Sequence, residues 1–243
     1  PRLSFFFCCT IEFFEEIAKF RTARKVYAKI LKERFHAINP KSLQLRFHTQ
    51  TSGESLTAQQ PDNNVVRVAI QAMAAVLGGT QSLHTNSMDE ALALPSQEAA
   101  KIALRTQQVI GYESGITKTV DPMSGSYYME SLCDEIEEQT LSYLKKIDNM
   151  GGALCAIEKG FFQSEIRQNA YRLKKEVDSN ERILVGVNKF NEESKNKQNL
   201  LRIGDSLGKK QERAIKQLRK SRDNKKTEYA LSKMQKAAET DKN

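Results

Sequence analysis

The sequence predicts an α/β fold built from parallel strand–helix units. Two runs carry this prediction, one from Leu43 to Gly53 and one from Gly78 to Ser87. Each run ends in His, Thr, Gln, Asn or Ser side chains and is followed by a turn and a long amphipathic segment. This is how a βα unit brings polar groups to the carboxyl-end mouth of a parallel barrel, so we expect functional side chains at these strand ends.

The first 125 residues are expected to alternate between strands and helices, and the chain is expected to supply four βα units of an eight-unit barrel. The predicted strands cover residues 3–9, 43–47 with a polar extension over 48–53, and 78–87. The predicted helices cover residues 11–35, 65–77 and 97–114, with a further helical start at Ser87 and Asp89 that is interrupted near Pro95. Apolar residues at helical spacing and turn residues between the segments support this order.

The rest of the chain is predicted to be mainly helical. Helices are expected over residues 129–150, 153–159, 164–179 and 206–236, with a turn-rich loop over 121–128 and a short β-prone run over 183–188. The last helix has only a thin apolar stripe, which is typical of a helix on a domain or partner surface or of a solvated arm. We therefore predict a body over residues 1–190 and a basic, mostly helical tail over 191–243.

The positive charge is concentrated in that tail. The chain has a formal net charge of +8, and residues 191–243 contain 15 Lys or Arg and 8 Asp or Glu. The body is therefore nearly neutral. The tail charges alternate in sign and lack aromatic interleaving, so a nucleic-acid partner is not expected; that reading would require binding with a steep salt dependence.

The four cysteines and the absence of long apolar runs indicate which metal, membrane and cellular settings to expect. Cys8, Cys9, Cys133 and Cys155 have no C-x-x-C spacing and no nearby His, so they are interpreted as buried or incidental thiols and no metal site is expected. No apolar run approaches the ~20 residues of a membrane span. We expect a cytoplasmic protein without a membrane partner.

The start at Pro1, without Met, suggests that the sequence begins inside a longer protein.

Nine strings of residues together indicate a relationship to a known family; they lie at residues 1–7, 14–21, 46–53, 55–61, 78–87, 89–95, 121–122, 125–126 and 185–189. These strings resemble the large, catalytic subunit of the methylmalonyl-CoA mutase family, including isobutyryl-CoA mutase. The resemblance covers residues 1 to about 190 and is weaker in the tail. It implies the C-terminal part of a TIM-type (β/α) barrel threaded by coenzyme A, followed by helices and the basic helical tail.

The resemblance also implies a chemistry. Adenosylcobalamin generates a 5′-deoxyadenosyl radical, and a substrate radical rearranges between methylmalonyl-CoA and succinyl-CoA. The protein excludes water and orients the thioester. The protein residues are therefore expected to act as hydrogen-bonding guides, and no catalytic acid or base is named.

Five residues match family positions that contact the acyl-CoA: Arg2, Ser4, His48, Gln50 and Gln81. A guanidinium suits a phosphate and a hydroxyl suits an amide or phosphate oxygen. Side chains two apart on a strand lie on the same face, which groups His48 with Gln50. Gln81 is expected at the same place on the next strand. Without the resemblance, an alternative interpretation of His48 and His84 is that they are structural residues whose polar groups are hydrogen-bonded at the ends of strands.

Five further residues match positions near cobalamin. Gly53 and Glu54 match a loop against the corrin, and Asn86, Glu90 and Leu94 match positions near the adenosyl group and the corrin ring. Without the resemblance, Glu90 also fits a first-turn carboxylate stabilised by a helix dipole. Glu54 stands where relatives often have an apolar or small residue.

The family pattern also implies partners. The N-terminal barrel half and the cobalamin-binding domain, which holds the cobalt, have no counterpart in these residues. We therefore expect partnership with that half and with a cobalamin-binding subunit or domain, an oligomeric assembly, and no turnover by this chain alone. The alternatives are a non-catalytic remnant or interaction module of the same fold, which docks a partner through its tail, and specificity for isobutyryl-CoA.

Overall fold

Three parallel strands form the sheet of the first of two compact units, Pro1–Leu200. The computed structural model describes residues 3–192, 200–202 and 204–240. Strands β1 (Phe5–Cys9), β2 (Phe47–Thr51) and β3 (Ser82–His84) are hydrogen-bonded in the order β1-β2-β3. Both pairings are parallel, so the carboxyl ends of the strands meet at one edge of the sheet.

Helices connect the strands and cover one face of the sheet. Helix α1 (Phe13–Glu33) joins β1 to β2, α2 (Asn63–Leu77) joins β2 to β3, and α3 (Gln97–Tyr112) follows β3. Helices α4 (Tyr127–Asn149), α5 (Ala153–Glu158) and α6 (Phe161–Asp178) complete this unit. Short 3₁₀ helices lie at Pro40–Leu43, Gly53–Ser55 and Ile116–Lys118. The α/β class with a parallel sheet is confirmed, while closure into a barrel stays a prediction.

The core lies between the sheet and α1. The Phe20 ring stacks on Phe47 with centroids 5.3 Å apart, and Phe7 meets both rings edge-on at 5.9 and 5.1 Å. Ile17 and Met129 are fully buried in the same cluster. Burial of such side chains contributes roughly 1.5–3 kcal/mol each, so this cluster holds α1 on the sheet.

A row of ion pairs joins α1 to α4. Arg21 Nη2 lies 3.0 Å from Glu130, Lys25 Nζ 2.6 Å from Glu137, and Arg34 Nη1 2.9 Å from Asp148. Several of these side chains are half exposed, so each pair contributes little to stability. The row fixes the alignment of the two helices, whereas the buried contacts between them supply most of the free energy.

The second strand lies later in the sequence than predicted. A strand over 43–47 is wrong for most of that range, because β2 covers Phe47–Thr51. Phe47, Thr49 and Thr51 alternate towards the core and are buried. The Thr49 hydroxyl donates to the Thr80 hydroxyl at 2.8 Å, and the Thr51 hydroxyl accepts from Asn86 N at 2.9 Å. The alternation of side chains along the strand is therefore a better guide to its position than a continuous apolar run. Threonines can be buried because their hydroxyl groups form hydrogen bonds.

Two further predicted elements are absent from the described residues. The helix expected from Ser87 is a series of turns, because the Asp89 carboxylate accepts hydrogen bonds from residues on both sides of it. The β-prone run over 183–188 forms a turn with one isolated bridge, Val185 to Lys189. There the Asn188 side chain satisfies backbone groups, including Leu184 N at 2.7 Å, which replaces strand pairing. The described residues thus contain three βα units, not four.

The chain divides into two compact units, Pro1–Leu200 and Leu201–Asn243. The second unit contains α7 (Asp205–Ser221) and α8 (Asn224–Ala238). The single helix predicted over 206–236 is interrupted because Arg222 and Asp223 are extended and the Asp223 side chain caps α8 by accepting from Lys226 N at 3.1 Å. None of the described helices is long and apolar enough to cross a membrane.

We expect Gly78→Ala to destabilise the first unit. A Cβ at Gly78 would lie 2.5 Å from Cδ2 of the fully buried Phe20 ring, which is stacked and cannot move freely. Urea unfolding should show a loss of about 1–3 kcal/mol. The matched control is Gly111→Ala in α3, where nothing lies within 4 Å of the added atom and a gain of roughly 0.5–1 kcal/mol is expected. Equal effects at both positions would contradict this packing.

Candidate functional site

Among the described residues of the first unit, one face of the sheet carries no helix, and we call it the open face. Side chains alternate along each strand, and those that point away from the helices are Phe6, Cys8, His48, Gln50, Ser82 and His84. The register places Phe6, His48 and Ser82 in one row, and Cys8, Gln50 and His84 in the next. The open face therefore presents two rows of mostly polar side chains near the carboxyl ends of the strands.

His48 is held in position by its two neighbours in the row. Its Nδ1 atom is hydrogen-bonded to the Ser82 hydroxyl at 2.6 Å, and its ring lies against the Phe6 ring with centroids 4.8 Å apart. With Nδ1 engaged, Nε2 is the ring nitrogen left to face a ligand. The neutral hydroxyl partner suits a hydrogen-bonding role for this imidazole.

Gln50 is linked to the loop that follows β3. Gln50 Nε2 donates to Asn86 Oδ1 at 3.0 Å, and Asn86 N donates to the Thr51 hydroxyl at 2.9 Å. Asn86 is only 2% exposed, and its Nδ2 atom has no hydrogen-bond partner among the described residues. A buried amide donor without a partner costs free energy, so this group is suited to an acceptor on a bound molecule.

Gly53 brings the loop after β2 against the same residues. A Cβ at Gly53 would lie 3.2 Å from Asn86 Nδ2 and 3.3 Å from Glu90 Oε1. The missing side chain therefore allows an amide donor and a carboxylate to approach the Gly53 backbone closely. Glu54 follows in the same 3₁₀ turn and is exposed.

The loop after β3 is fixed by Asp89. Its carboxylate accepts from the Ser87 hydroxyl at 2.7 Å and from Ser96 N at 2.9 Å. Burial acts to raise the pKa of the Asp89 carboxyl, but these hydrogen bonds more than offset it and leave the pKa below its usual value. Asp89 is 3% exposed, and its two hydrogen bonds connect the ends of a segment that also contains Glu90 and the half-exposed Leu94.

The structure thus brings five of the ten predicted site residues to one region: His48, Gln50, Gly53, Asn86 and Glu90. Glu54 and Leu94 lie in the same two loops with exposed side chains. Ser4 is exposed just before β1. Arg2 lies outside the described residues.

Gln81 lies at the other end of the strands. Its Oε1 accepts from Phe47 N at 2.7 Å, and its Nε2 donates to Gly79 O at 2.7 Å. The position beside His48 and Gln50 that was expected for Gln81 is instead taken by Ser82 and His84, because the register pairs those residues with β2. A contact from Gln81 to a ligand stays a prediction.

Sequence reasoning missed Ser82, Phe6 and Cys8 as members of the open face. The signal that could have identified them is the strand period of two, once the register between strands is known. The same face offers amide, imidazole, hydroxyl and thiol groups but no carboxylate or ammonium group. Within the part of the chain that is described, no group of three His, Cys, Asp or Glu could hold a metal ion. The open face is therefore suited to hydrogen bonding of a neutral or polar molecule.

The sequence is similar to those of known proteins. The family described as methylmalonyl-CoA mutase matches residues 1–243. The 2-hydroxyisobutanoyl-CoA mutase large subunit of Aquincola tertiaricarbonis is 50% identical over 190 residues, covering 78% of this chain and 34% of that protein. The mitochondrial methylmalonyl-CoA mutase of Mus musculus is 47% identical over 233 residues, covering 96% and 31%.

A third relative is similar over nearly the whole of this chain. The methylmalonyl-CoA mutase large subunit of Porphyromonas gingivalis is 46% identical over 241 residues, covering 99% of this chain and 34% of that protein. The chain therefore spans about a third of the length of the curated relatives it matches.

We expect Asp89→Asn to loosen the loop that positions Asn86 and Glu90. Loss of the charged acceptor should lower the free energy of unfolding at neutral pH by about 1–3 kcal/mol. Because the folded-state pKa is depressed, the stabilisation is present above the usual value of 3.8 and is lost as the pH falls through the lower folded-state pKa. Urea unfolding of both proteins from pH 7 to pH 3 should show the difference shrinking. Asp62→Asn, at an exposed carboxylate, is the control; a difference that is constant with pH would exclude this role.

Proposed function

The chain belongs to the methylmalonyl-CoA mutase family, and we propose that it forms the C-terminal part of the barrel of a catalytic mutase subunit. Mutases are isomerases that transfer a group within one molecule. The proposed reaction is the adenosylcobalamin-dependent rearrangement of the carbon skeleton of an acyl-CoA, between methylmalonyl-CoA and succinyl-CoA. The relatives of this chain that carry a mutase name are about three times as long, which supports the proposal that the activity needs more of the protein than this chain.

The observation that carries the proposal is the open face with its polar carboxyl-end loops. In a closed parallel barrel, one face of every strand points inward and the loops after the strands form the mouth. His48 and Gln50 would then lie inside, and Gly53, Asn86 and Glu90 would line the mouth. A substrate that enters along the barrel axis from the amino-terminal ends of the strands would meet these residues in that order.

We propose that the polar side chains of the open face, together with residues near it, contact the acyl-CoA. His48 Nε2 and the Gln50 amide would hydrogen-bond the thioester end of the substrate. Ser82, which holds His48 at 2.6 Å, would be a positioning residue. Ser4, Arg2 and Gln81 are proposed to contact more distant parts of the coenzyme A arm.

The loop residues fit a large polar cofactor. Asn86 Nδ2 is a buried donor that lacks a partner among the described residues, and the absence of a side chain at Gly53 lets this donor and Glu90 Oε1 lie close to the loop backbone. These groups suit the hydroxyl and amide groups of adenosylcobalamin, which when bound would supply the radical that starts the rearrangement. Gly53, Glu54, Asn86, Glu90 and Leu94 would hold its exposed face, with cobalt held by a separate domain or subunit.

The sheet also supports the proposed partners. Within the described residues, β1 and β3 each pair on one side only, so both outer edges of the sheet are available. Strands from an N-terminal barrel half would cover these edges, and closed pairing removes the aggregation hazard of free edges. A cobalamin-binding subunit at the mouth and an oligomeric state complete the proposed assembly, and this chain alone is expected to be inactive.

A second substrate is favoured by one comparison. The Aquincola tertiaricarbonis relative, at 50% identity, is named for 2-hydroxyisobutanoyl-CoA rather than methylmalonyl-CoA. Either acyl group would extend from the same thioester, so the open face described above serves both. Isobutyryl-CoA is a third substrate of the same class.

The test of the function uses a chimera in which this chain replaces the matching segment of the Aquincola tertiaricarbonis large subunit, assembled with its cobalamin-binding partner. Turnover of methylmalonyl-CoA or 2-hydroxyisobutanoyl-CoA with adenosylcobalamin would support the proposal. A folded chimera that binds neither acyl-CoA nor cobalamin would favour a non-catalytic interaction module.

In this chimera, His48→Ala should lower kcat/KM by roughly 10–100-fold, because one or two hydrogen bonds to the reacting acyl group are lost. Ser82→Ala should have a smaller effect, with Ser82→Thr restoring activity, since the hydroxyl acts through the imidazole. The matched control is His36→Ala, which removes an exposed imidazole outside the open face. Unchanged kinetics for His48→Ala would rule out the proposed contact.

Gly53→Ala should weaken binding of adenosylcobalamin about 10-fold, equivalent to about 1.4 kcal/mol. The added methyl would approach Asn86 Nδ2 and Glu90 Oε1 at 3.2 and 3.3 Å and displace both groups. Absorbance titration with the cofactor measures the effect without relying on turnover. Gly111→Ala, which has open space around it, serves as the glycine control. Equal affinity for all three proteins would show that the cofactor does not lie against this loop.

A further inference from the structure

The open face is divided into an apolar strip and a polar strip. Strand β1 contributes Phe6 and Cys8, whereas every open-face side chain of β2 and β3 is an imidazole, an amide or a hydroxyl. Phe6 is 76% exposed, and the free thiol of Cys8 is exposed as well. A thiol packs as a small apolar group. Strand β1 therefore presents apolar surface to the same space into which β2 and β3 present polar groups.

The second row, Cys8–Gln50–His84, is least filled over Cys8. Cys8 has the shortest side chain of the three residues. The Gln50 amide donates to Asn86 Oδ1 at 3.0 Å, in the loop that follows β3. Because β3 lies on the side of β2 opposite to β1, this hydrogen bond draws the Gln50 side chain away from Cys8. Space is therefore left over the apolar strip at this row.

A buried donor without a partner adjoins the same row. Asn86, which holds Gln50, is 2% exposed, and its Nδ2 atom has no hydrogen-bond partner among the described residues. A donor of this kind is suited to an acceptor on a bound molecule. The space over Cys8 thus lies next to groups that a ligand would satisfy.

The proposed direction of the acyl-CoA places the acyl group at this row. The coenzyme A arm lies towards the amino-terminal ends of the strands, and the thioester lies at His48. The row of Cys8 is two residues nearer the carboxyl ends, which is about 6.6 Å at the rise of a parallel strand. Carbon C2 follows the thioester carbon, so its substituents extend from the first row towards the second. The methylmalonyl, 2-hydroxyisobutanoyl and isobutyryl groups all carry a methyl branch on this carbon.

We propose that Cys8 is a specificity-determining residue that packs against the methyl branch at C2 of the acyl group, while the polar strip binds the thioester oxygen. This inference rests on the proposed function and identifies the part of the site that distinguishes branched acyl groups. A methyl group needs apolar contact and space but no hydrogen bond, and the short thiol side chain offers both. A difference of one methylene group in an apolar pocket changes discrimination by about 10–200-fold.

The test compares binding of isobutyryl-CoA and of coenzyme A to the chimeric large subunit, by isothermal titration calorimetry. Cys8→Leu fills the space over β1 and should weaken binding of isobutyryl-CoA by about 10-fold or more. Coenzyme A lacks an acyl group, so its affinity should stay the same and show that the variant is folded. Cys8→Ser keeps the space but introduces a polar hydroxyl, and should weaken isobutyryl-CoA by a smaller factor. The matched control is Cys155→Leu in α5, outside the open face, which should change neither affinity.

The thiol itself gives a second measurement without any substitution. N-ethylmaleimide forms a bond from its ring carbon to the Cys8 sulfur, and the thiol proton is replaced by one taken up at the neighbouring ring carbon. Peptide mass spectrometry should show that saturating isobutyryl-CoA slows labelling of Cys8 several-fold more than saturating coenzyme A does. Labelling of Cys155 in the same samples should respond to neither ligand.

Two outcomes would overturn this proposal and leave the proposed function intact. If Cys8→Leu weakens isobutyryl-CoA and coenzyme A equally, the side chain does not contact the acyl group. If isobutyryl-CoA binds but protects Cys8 no better than coenzyme A, the acyl group lies elsewhere in the barrel. A chimera that is folded by circular dichroism and binds neither ligand would instead count against the proposed function, and the role of Cys8 would fall with it.

Discussion

The first unit depends on a parallel sheet whose helices all lie on one side. Parallel pairing of β1, β2 and β3 requires crossovers, and right-handed crossovers place α1 and α2 on the same face. The stack of Phe20 on Phe47 then fixes α1 to that face. Every second side chain of each strand must therefore point away from the helices. The two rows of the open face follow directly from this arrangement.

The same constraint explains why the candidate site has two parts. The strands supply His48 and Gln50 on a rigid surface, while the loops after β2 and β3 supply Gly53, Asn86 and Glu90. The hydrogen bond from Gln50 to Asn86 joins the two parts. Loops that carry a site need internal support, and here it comes from the Asp89 carboxylate and from the Thr51 hydroxyl.

The sequence predicts the order of βα units and most helix bounds because apolar residues at helical spacing are dense in α1, α2 and α4. It misplaces β2, because buried threonines look polar in a sequence and their hydroxyl partners come from elsewhere in the chain. It groups Gln81 with His48 and Gln50, because register between strands depends on tertiary pairing. The family resemblance predicts that Gly53, Asn86 and Glu90 all lie near the same cofactor. Their spacing along the sequence alone could not show that they lie close to one another.

The chemistry of the open face is consistent with a surface that is covered in the working protein. Its six side chains include no carboxylate, ammonium or guanidinium group, although charged residues make up 28% of the chain. A charged group on a surface that is later closed off from water would lose its hydration, at a cost of several kcal/mol unless it were paired. Amide, imidazole and hydroxyl groups lose much less and can exchange water for a ligand's polar atoms. Because radical rearrangements require exclusion of water, an inward face that binds through neutral hydrogen bonds is the arrangement that the proposed reaction needs.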